Sequence, residues 1–427
     1  MEVPDANLLG LFRPREAPPG EPTEALVRRA LETPIDSPRL SSLAGAGQKV
    51  LLLSDDFTRP TPVADMLPPV LAELQAGGVR KADIKILIAS GTHRPMTDEE
   101  RARKLGPEVS REYEVFQQRW QDEQELVRLG ETSAGLPIVV NRRLAEADLV
   151  VGLGHIVPHR ITGYSGGAKI VGTGTAGAPP GLHEIHWLGA QVPGRELLGV
   201  ADNPVRRNVN EIGRRTGLRF VVNVVQDTGG KVTSVFAGDP VGAHRRGCDA
   251  SRDIYGVELP SLADIVIADS YPADADFWQA AKAVYATELA VRPGGVTTVV
   301  TPCPEGVSRE HPALLRYGVR PVAEIRQLVE SGEIKDVIGA AIMALTAWVV
   351  KERATGIMVS PGIPAGDQLK LGFTPAGAPQ EALDRAFALV GRDARVAVLL
   401  HGGEILPLAP GEAERRIGAV EAQRAGA

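Results

Sequence analysis

Short apolar runs alternate with amphipathic stretches along the first third of the chain. Residues 48–53 form one apolar run, and the segment from Pro60 to Leu74 then carries apolar residues at helical spacing. A second apolar run covers residues 84–90, and a third ends at Gly154. This order predicts strands and helices in alternation, building a mostly parallel sheet whose strands all end at the same edge.

The pattern continues beyond these three strands. A capping box that begins at Thr97 predicts a helix ending near Gly106. Residues 219–225 and 231–238 have the composition of two paired strands, and a helix is expected over 239–254. The first set of elements therefore closes near residue 258.

The alternation restarts at Asp264 and has a Rossmann-like texture. The predicted elements are strands at 264–270, 295–302, 356–362 and 395–400, with helices through 279–282, near 308–331, at 338–353 and at 379–390. We therefore predict an α/β fold of two domains, each with a mostly parallel sheet flanked by helices and with the active site in the interdomain cleft. The predicted boundaries are 1–258, 259–404 and a C-terminal tail, 405–427, that could pack back on the first domain.

Composition excludes several classes of function. The 427 residues carry a net charge of −6 without a basic stripe, so no nucleic-acid partner is expected. No apolar stretch approaches the ~20 residues that span a bilayer, and the N-terminus lacks the order of a signal peptide, so we expect a cytoplasmic protein without membrane contact. Cys248 and Cys303 lie far apart, which disfavours a disulfide framework or a thiolate zinc site.

Reactive side chains follow the predicted strands directly. The first strand is followed by Asp56, Phe57, Thr58 and Arg59, the second by His93 between Gly91 and Pro95, and the third by His155 and His159. Because the carboxyl ends of parallel strands converge on one crevice, these groups are expected to lie together. The arrangement predicts an enzyme.

Each group has a structural alternative. Asp56 and Arg59 could bind an anion at a helix N-terminus, or Asp56 could simply cap that helix. A single histidine after a strand is commonly structural, but His93 and His159 in equivalent positions suggest two bases that approach a substrate from different sides. Two bases suit the inversion of a stereocentre. His155, directly at the strand end, is interpreted as structural.

The glycine-rich segment before Lys169 resembles a phosphate-binding loop but departs from the Walker pattern at Ala168 and Ile170, which disfavours an ATPase. Lys169 could be a covalent anchor or a cation for a bound anion. His183 and His186 would share one face of a helix, yet no third ligand with zinc-site spacing accompanies them.

Taken together, the motifs resemble the nickel-dependent lactate racemase (LarA-like) family of 2-hydroxyacid racemases and epimerases. The pattern consists of D-x-T-R-P from Asp56, G-T-H-R-P from Gly91, P-H at His159 with the lysine of S-G-G-x-K ten residues on, and Y-P followed by Q-x-x-K in the second domain. These motifs occur in order over nearly the whole chain.

The resemblance implies an isomerase that carries a nickel-pincer nucleotide, Ni(II)-pyridinium-3,5-bisthiocarboxylate mononucleotide, attached covalently at Lys169. It implies that His93 and His159 are the two proton donor/acceptors. One histidine would complete the coordination of nickel; we favour His186, with His183 as the alternative because the spacing from Lys169 is one residue longer than usual. The residues implied to hold the cofactor are Asp56, Phe57, Thr58 and Arg59.

The resemblance also implies how substrate is bound. Gln279 and Lys282 would bind the carboxylate of a 2-hydroxyacid, whose hydride passes to the cofactor and returns to the other face of a 2-keto acid. Trp278 stands where a tyrosine is usual, so the identity of the small-molecule substrate stays open. The other implied partners are the enzymes that assemble the cofactor.

Two other functions remain at this stage. A zinc-dependent hydrolase could use His93 and His159 with His183 or His186, and would be indifferent to Lys169. A non-catalytic carrier of the nickel cofactor would need Lys169 and His186 but neither of the other two histidines.

Overall fold

The computed structural model describes residues 1–17, 20–177 and 181–410. Residues 411–427, most of the tail predicted over 405–427, lie outside the described residues.

The strands form two six-stranded sheets and three short pairs within the described part of the chain. They are β1 (Leu8–Phe12), β2 (Val50–Ser54), β3 (Ile84–Ile88), β4 (Glu114–Gln117), β5 (Leu126–Glu131), β6 (Pro137–Asn141), β7 (Leu149–His155), β8 (Pro158–His159), β9 (Gly163–Tyr164), β10 (Leu218–Gln226), β11 (Val232–Gly238), β12 (Gly256–Glu258), β13 (Ala263–Asp269), β14 (Val291–Val300), β15 (Ala354–Val359), β16 (Phe373–Pro375), β17 (Val396–Leu399) and β18 (Leu406–Leu408).

Helices cover the sheets and connect them. They are α1 (Thr23–Glu32), α2 (Leu40–Leu43), α3 (Val63–Ala76), α4 (Asp98–Leu105), α5 (Pro107–Glu112), α6 (Arg143–Glu146), α7 (Lys169–Gly172), α8 (Leu182–Ala190), α9 (Pro204–Arg215), α10 (Gly242–Tyr255), α11 (Phe277–Ala290), α12 (Ala313–Tyr317), α13 (Val322–Glu330), α14 (Val337–Val350), α15 (Ala365–Lys370) and α16 (Pro379–Val390). Across the described residues, none of these helices has both the length and the apolar character needed to cross a bilayer.

The first sheet has the strand order β11-β10-β7-β2-β3-β4 and is parallel except for the β10–β11 pair. Strands β2 and β7 are buried along their whole length, as expected for central strands covered on both faces. The capping box at Thr97 is present at the start of α4. The predicted α/β class and mostly parallel sheets are confirmed.

The second sheet, in the order β1-β17-β13-β14-β15-β16, is parallel throughout. Its edge strand β1 comes from the N-terminus of the chain, whereas the sequence placed all of 1–258 in the first domain. Residues 8–12 thus contribute a strand to the second sheet, because β1 pairs with β17, which lies nearly 390 residues later in the sequence. The predicted domain boundaries stay a proposal.

The two sheets are joined by contacts between helices and by a short strand pair. The β12 strand, directly before the proposed boundary, pairs in parallel with β18 at the start of the predicted tail. Trp348 in α14 donates a hydrogen bond from its indole nitrogen to the Ala190 carbonyl in α8 (3.0 Å), and the buried carboxylate of Glu288 in α11 accepts from the Gly194 amide. These contacts hold α14 against α8, and α11 against the turn that follows α8.

Candidate functional site

A cavity of about 660 Å³ opens between the carboxyl ends of the first sheet and the N-terminal half of α11. Its walls contain side chains from the two domains, including Arg59, His93, His159, Lys169, His186 and Lys282. Arg59, His93 and His159 follow β2, β3 and β7, respectively. They lie close together because parallel strands have their carboxyl ends at the same edge of the sheet. The sequence-predicted groups therefore lie in one place.

Asp56 and His93 form a close pair in this cavity. Nδ1 of His93 lies 2.7 Å from Oδ2 of Asp56, while the Thr58 hydroxyl donates to Oδ1 of the same carboxylate at 2.6 Å. Burial alone would raise the pKa of Asp56, but the His93 ring and the Arg59 guanidinium outweigh it and hold that pKa well below its usual range. Asp56 is therefore a buried, ionised carboxylate that is hydrogen-bonded to the Thr58 hydroxyl and to the His93 ring.

Phe57 and Arg59 lie at the edge of the same cluster. The guanidinium of Arg59 donates to the Thr58 hydroxyl at 2.9 Å and faces the cavity. Phe57 is more exposed, and the Arg94 guanidinium stacks over its ring at 4.1 Å. The loop that follows β2 thus combines a carboxylate, a cation and an aromatic rim.

His159 lies across the cavity on the short strand β8. Its Nδ1 accepts backbone hydrogen bonds from Ile161 (3.2 Å) and Thr162 (3.3 Å). Burial, together with the cations of Lys169 and Lys282, places the pKa of His159 well below its usual value. This imidazole is neutral at physiological pH.

His155 belongs to a second hydrogen-bond network, in the wall of the cavity. Its Nδ1 lies 2.9 Å from the Thr61 hydroxyl, which also bonds to the Asp55 carboxylate. Lys104 pairs with Asp55 at 2.6 Å and donates to the carbonyls of Arg59 and Thr61. This buried network fixes the backbone of the loop that carries Asp56.

Lys169 begins the short helix α7 after a tightly packed glycine segment. At Gly163 the φ angle is +78° and a Cβ would lie 1.9 Å from the Val200 carbonyl oxygen, so a side chain is excluded there. Gly167 has φ +57° and would place a Cβ 2.9 Å from the His244 ring. The segment turns sharply, and the Lys169 side chain lies in the cavity wall. Burial and the cations of Arg59 and Arg206 lower the pKa of Lys169 to about 7.

Arg206 in α9 holds this segment from behind. The fully buried guanidinium donates to the carbonyls of Thr162 (3.2 Å) and Gly166 (3.1 Å) and to that of Tyr164. Burial lowers the pKa of Arg206 to about 10, which leaves it charged at neutral pH. Arg206 therefore positions the backbone between His159 and Lys169 without facing the cavity itself.

Replacement of Arg206 by methionine is expected to lower the free energy of unfolding by about 3 kcal/mol, because three buried carbonyls each lose a charged donor. Denaturant unfolding monitored by circular dichroism measures this loss. The matched control is Arg207→Met: that neighbour is exposed and pairs with Asp202, so it should cost no more than about 1 kcal/mol. Equal losses for the two variants would contradict the positioning role of Arg206.

The structure separates the two candidate metal ligands on α8. His186 faces the cavity, and its Nδ1 lies 3.0 Å from the Leu182 carbonyl, so Nδ1 carries the proton and Nε2 presents its lone pair. Burial lowers the pKa of His186 to about 4, which keeps the ring neutral. His183 lies on another side of α8 near Asp336 and His311 and is absent from the cavity wall. Of the two histidines, His186 is the one placed to bind a group inside the cavity.

Gln279 and Lys282 extend into the cavity from the first turns of α11. The ammonium of Lys282 donates to the Gln279 amide oxygen at 2.9 Å, and burial and the Arg59 cation lower the pKa of Lys282 to about 7. Trp278, beside them, stacks on the His311 ring with centroids 4.1 Å apart. The pair forms a compact donor site, and the indole borders it.

Sequence reasoning missed Glu404 and Arg206. Glu404 lines the cavity after β17, and burial raises the pKa of its carboxyl despite the nearby Lys282 and Arg59. Its position just after a predicted parallel strand could have identified it, because the other groups in the cavity also follow the carboxyl ends of parallel strands. The buried position of Arg206 could not be predicted from the sequence, because an arginine on an amphipathic helix is normally exposed.

Comparison with known proteins agrees with this site. The model of the lactate racemase N-terminal domain matches residues 1–188, and that of the C-terminal domain matches 260–406. The lactate racemase of Thermoanaerobacterium thermosaccharolyticum is 32% identical over 311 residues, which is 71% of this chain and 72% of that protein. The chain belongs to the lactate racemase family. The predicted resemblance and the predicted isomerase class are confirmed.

Further comparisons extend over more of the chain. The lactate racemase of Lactiplantibacillus plantarum is 28% identical over 386 residues, 88% of this chain and 89% of that protein. The solved structure of the T. thermosaccharolyticum lactate racemase apoprotein superimposes with a TM-score of 0.85 at 28% identity, covering 96% of this chain and 97% of that one. A Thermotoga maritima protein shares the fold at 22% identity and a TM-score of 0.71, covering 91% and 98%. This lactate racemase family member thus has the two-domain architecture of its relatives.

Proposed function

We propose that this enzyme inverts C2 of a 2-hydroxyacid by proton-coupled hydride transfer, using a nickel-pincer nucleotide held covalently at Lys169. The observation that supports the proposal is that one cavity contains a lysine, three imidazoles and a pair of polar side chains that could bind a carboxylate. These residues are Lys169, His186, whose Nε2 is free, His93, His159, Gln279 and Lys282. Its family membership supports a racemase.

The residues present fit the proposed cofactor. A lysine whose pKa lies at about 7 is largely neutral just above pH 7 and can serve as a nucleophilic amine for attachment. His186 donates its Nδ1 hydrogen to a backbone carbonyl, the arrangement that orients a metal-binding imidazole and leaves Nε2 as the ligand atom. In the described ranges no three His, Cys, Asp or Glu side chains group as a protein-only metal site would require. A pincer cofactor brings its own donors.

The Asp56–Arg59 loop would hold the cofactor beside His93, with Phe57 at the rim and Thr58 bonding to the carboxylate of Asp56. When bound, the cofactor supplies a hydride acceptor and a metal. Gln279 and Lys282 would bind the substrate carboxylate by a hydrogen bond and a charge. His93 and His159 would then flank the hydroxyl on C2. Trp278, which also lines the cavity, would border the remainder of the substrate.

The test is to produce the protein with and without nickel and the cofactor-assembly enzymes, and to measure intact and peptide masses. A nickel-bearing adduct on Lys169, with racemisation or epimerisation in a chiral assay over a panel of 2-hydroxyacids, is the expected result. An unmodified lysine with zinc bound would favour a hydrolase instead. An adduct without turnover of any 2-hydroxyacid would favour a carrier, and either outcome overturns the proposal.

A further inference from the structure

Glu404 places a carboxyl group in the cavity wall, and the proposed reaction gives it no role. It follows β17 at the carboxyl edge of the second sheet, and its backbone amide donates to the His401 carbonyl at 2.9 Å. Within residues 1–17, 20–177 and 181–410, its carboxyl has no hydrogen-bond donor and no ion-pair partner. Because an unpaired carboxyl away from water is costly, this one suits a donor that arrives with a ligand.

The turn that carries Glu404 is fixed against the loop that follows β13, the strand next to β17. The Gly402 amide donates to the Asp269 carboxylate at 3.2 Å, and the Gly403 amide donates to the Tyr271 carbonyl at 3.3 Å. A Cβ on Gly402 would lie 2.0 Å from the Asp269 carbonyl oxygen, so a side chain is excluded there. The same loop contributes Asp274, a second carboxylate, to the cavity wall.

Two cations lie near Glu404 without pairing with it. Lys282 donates to the Gln279 amide oxygen at 2.9 Å, and Arg59 donates to the Thr58 hydroxyl at 2.9 Å. Burial raises the pKa of Glu404, and the charges of Lys282 and Arg59 oppose that rise, so all three groups border the same space. A substrate whose carboxylate binds Lys282 would therefore extend its other carbons toward Glu404.

We propose that Glu404 binds hydroxyl groups beyond C2, so that the substrate is a polyhydroxylated 2-hydroxyacid, that is, an aldonic acid. This inference rests on the proposed function and names its substrate class. A hydroxyl donates a hydrogen bond to a carboxylate oxygen and brings no charge of its own. The two oxygens of Glu404 can accept from hydroxyls on adjacent carbons.

Other classes of 2-hydroxyacid fit these surroundings less well. A methyl or aromatic group in place of the hydroxyls leaves the Glu404 carboxyl unpaired when substrate displaces water. A second carboxylate on the substrate would meet the negative charges of Glu404 and Asp274, and an ammonium group would lie beside Lys282 and Arg59. An uncharged donor satisfies Glu404 without repulsion from either set.

Three acids with four carbons test this assignment on the cofactor-loaded enzyme. They are 2,3,4-trihydroxybutanoate, 2-hydroxybutanoate and malate, and kcat/KM for inversion at C2 is measured for each at pH 8. The trihydroxy acid should exceed 2-hydroxybutanoate by about 10–100-fold, because an analogue without the hydroxyls leaves a carboxylate unpaired. Malate should fall below both.

Variants of Glu404 separate charge from shape. Glu404→Gln keeps the size of the side chain but not its charge, so it should reduce the preference for the trihydroxy acid about tenfold and raise malate relative to 2-hydroxybutanoate. Glu404→Leu should remove the preference. Glu305→Gln is the matched control and should leave these ratios unchanged. Glu305 is an exposed carboxylate after β14, at the same edge of the second sheet but outside the cavity wall.

The outcomes distinguish this inference from the proposed function. Equal kcat/KM for the trihydroxy acid and 2-hydroxybutanoate, or a preference that survives Glu404→Leu, overturns the inference and leaves the proposed function in place. A lower yield of the Lys169 adduct in Glu404→Gln, by intact mass and with unchanged ratios, would show that Glu404 binds a hydroxyl of the cofactor and also overturns it. If the loaded protein inverts no 2-hydroxyacid, the proposed function fails and the inference fails with it.

Discussion

Replacement of Lys169 by arginine is expected to abolish covalent attachment of the cofactor and to reduce racemisation to background. The lysine lies deep in the cavity at the start of α7, where burial and the cations of Arg59 and Arg206 lower its pKa to about 7. An ordinary lysine is almost entirely protonated at pH 8, whereas this one is mostly the free amine. That difference makes Lys169 a selective site of attachment.

Arginine separates charge from nucleophilicity at this position. It has a similar reach, but its guanidinium stays protonated and cannot form the linkage. For the wild-type chain, the rate of attachment should rise as pH increases through about 7 and level off above it, because the neutral amine is the reacting form. Intact-mass spectrometry of timed samples measures this rate.

Lys282→Arg is the matched control. Lys282 lies in the same cavity and burial lowers its pKa to about 7 as well, yet it projects from α11 beside Gln279. The Lys282→Arg protein should carry the adduct at wild-type yield while its KM for the 2-hydroxyacid rises. An adduct found on Lys282, or an undiminished adduct in Lys169→Arg, would contradict the assignment of the anchor.

The local parts of this site were predictable from sequence. The apolar runs at 48–53 and 84–90 match β2 and β3. Because parallel strands end at one edge of the sheet, the sequence also predicts that His93 and Asp56 lie together, as they do. The i, i+3 spacing of Gln279 and Lys282 likewise put them on one face of α11. These features depend on neighbours within a few residues or on the regular geometry of a sheet.

The remaining features depend on distant parts of the chain. The choice between His183 and His186 depends on how α8 is rotated against α14, which their spacing along the sequence cannot specify. The pairing of β1 with β17 and the burial of Arg206 arise only after the fold is assembled. Nδ1 of His93 faces the Asp56 carboxylate, whereas Nδ1 of His159 accepts a hydrogen bond from the Ile161 amide. The sequence does not predict this contrast either, because it depends on the folded environment of each ring.

Replacement of Asp56 by asparagine should reduce kcat by about 10²–10⁴-fold while leaving the backbone in place. The carboxylate fixes the hydrogen of His93 on Nδ1 and balances the charge of the imidazolium that forms when Nε2 takes a proton. An asparagine is nearly the same shape but carries no charge, and its amide can present N–H to the ring and favour the wrong tautomer. Steady-state assays with both enantiomers measure the loss.

A double-mutant cycle tells whether Asp56 acts through His93. If it does, Asp56→Asn combined with His93→Gln should be no slower than His93→Gln alone, since the carboxylate then has no imidazole to orient. The cofactor adduct on Lys169 should persist in every member of the cycle. Additive losses, or a loss of the adduct in Asp56→Asn with normal turnover by the loaded fraction, would instead make Asp56 a cofactor-binding group independent of His93. The tautomer of His93 is the link between the buried carboxylate and turnover. In Asp56→Asn, long-range ¹H–¹⁵N spectra of histidine-labelled protein should show that His93 loses its fixed Nδ1 hydrogen in parallel with the loss of kcat.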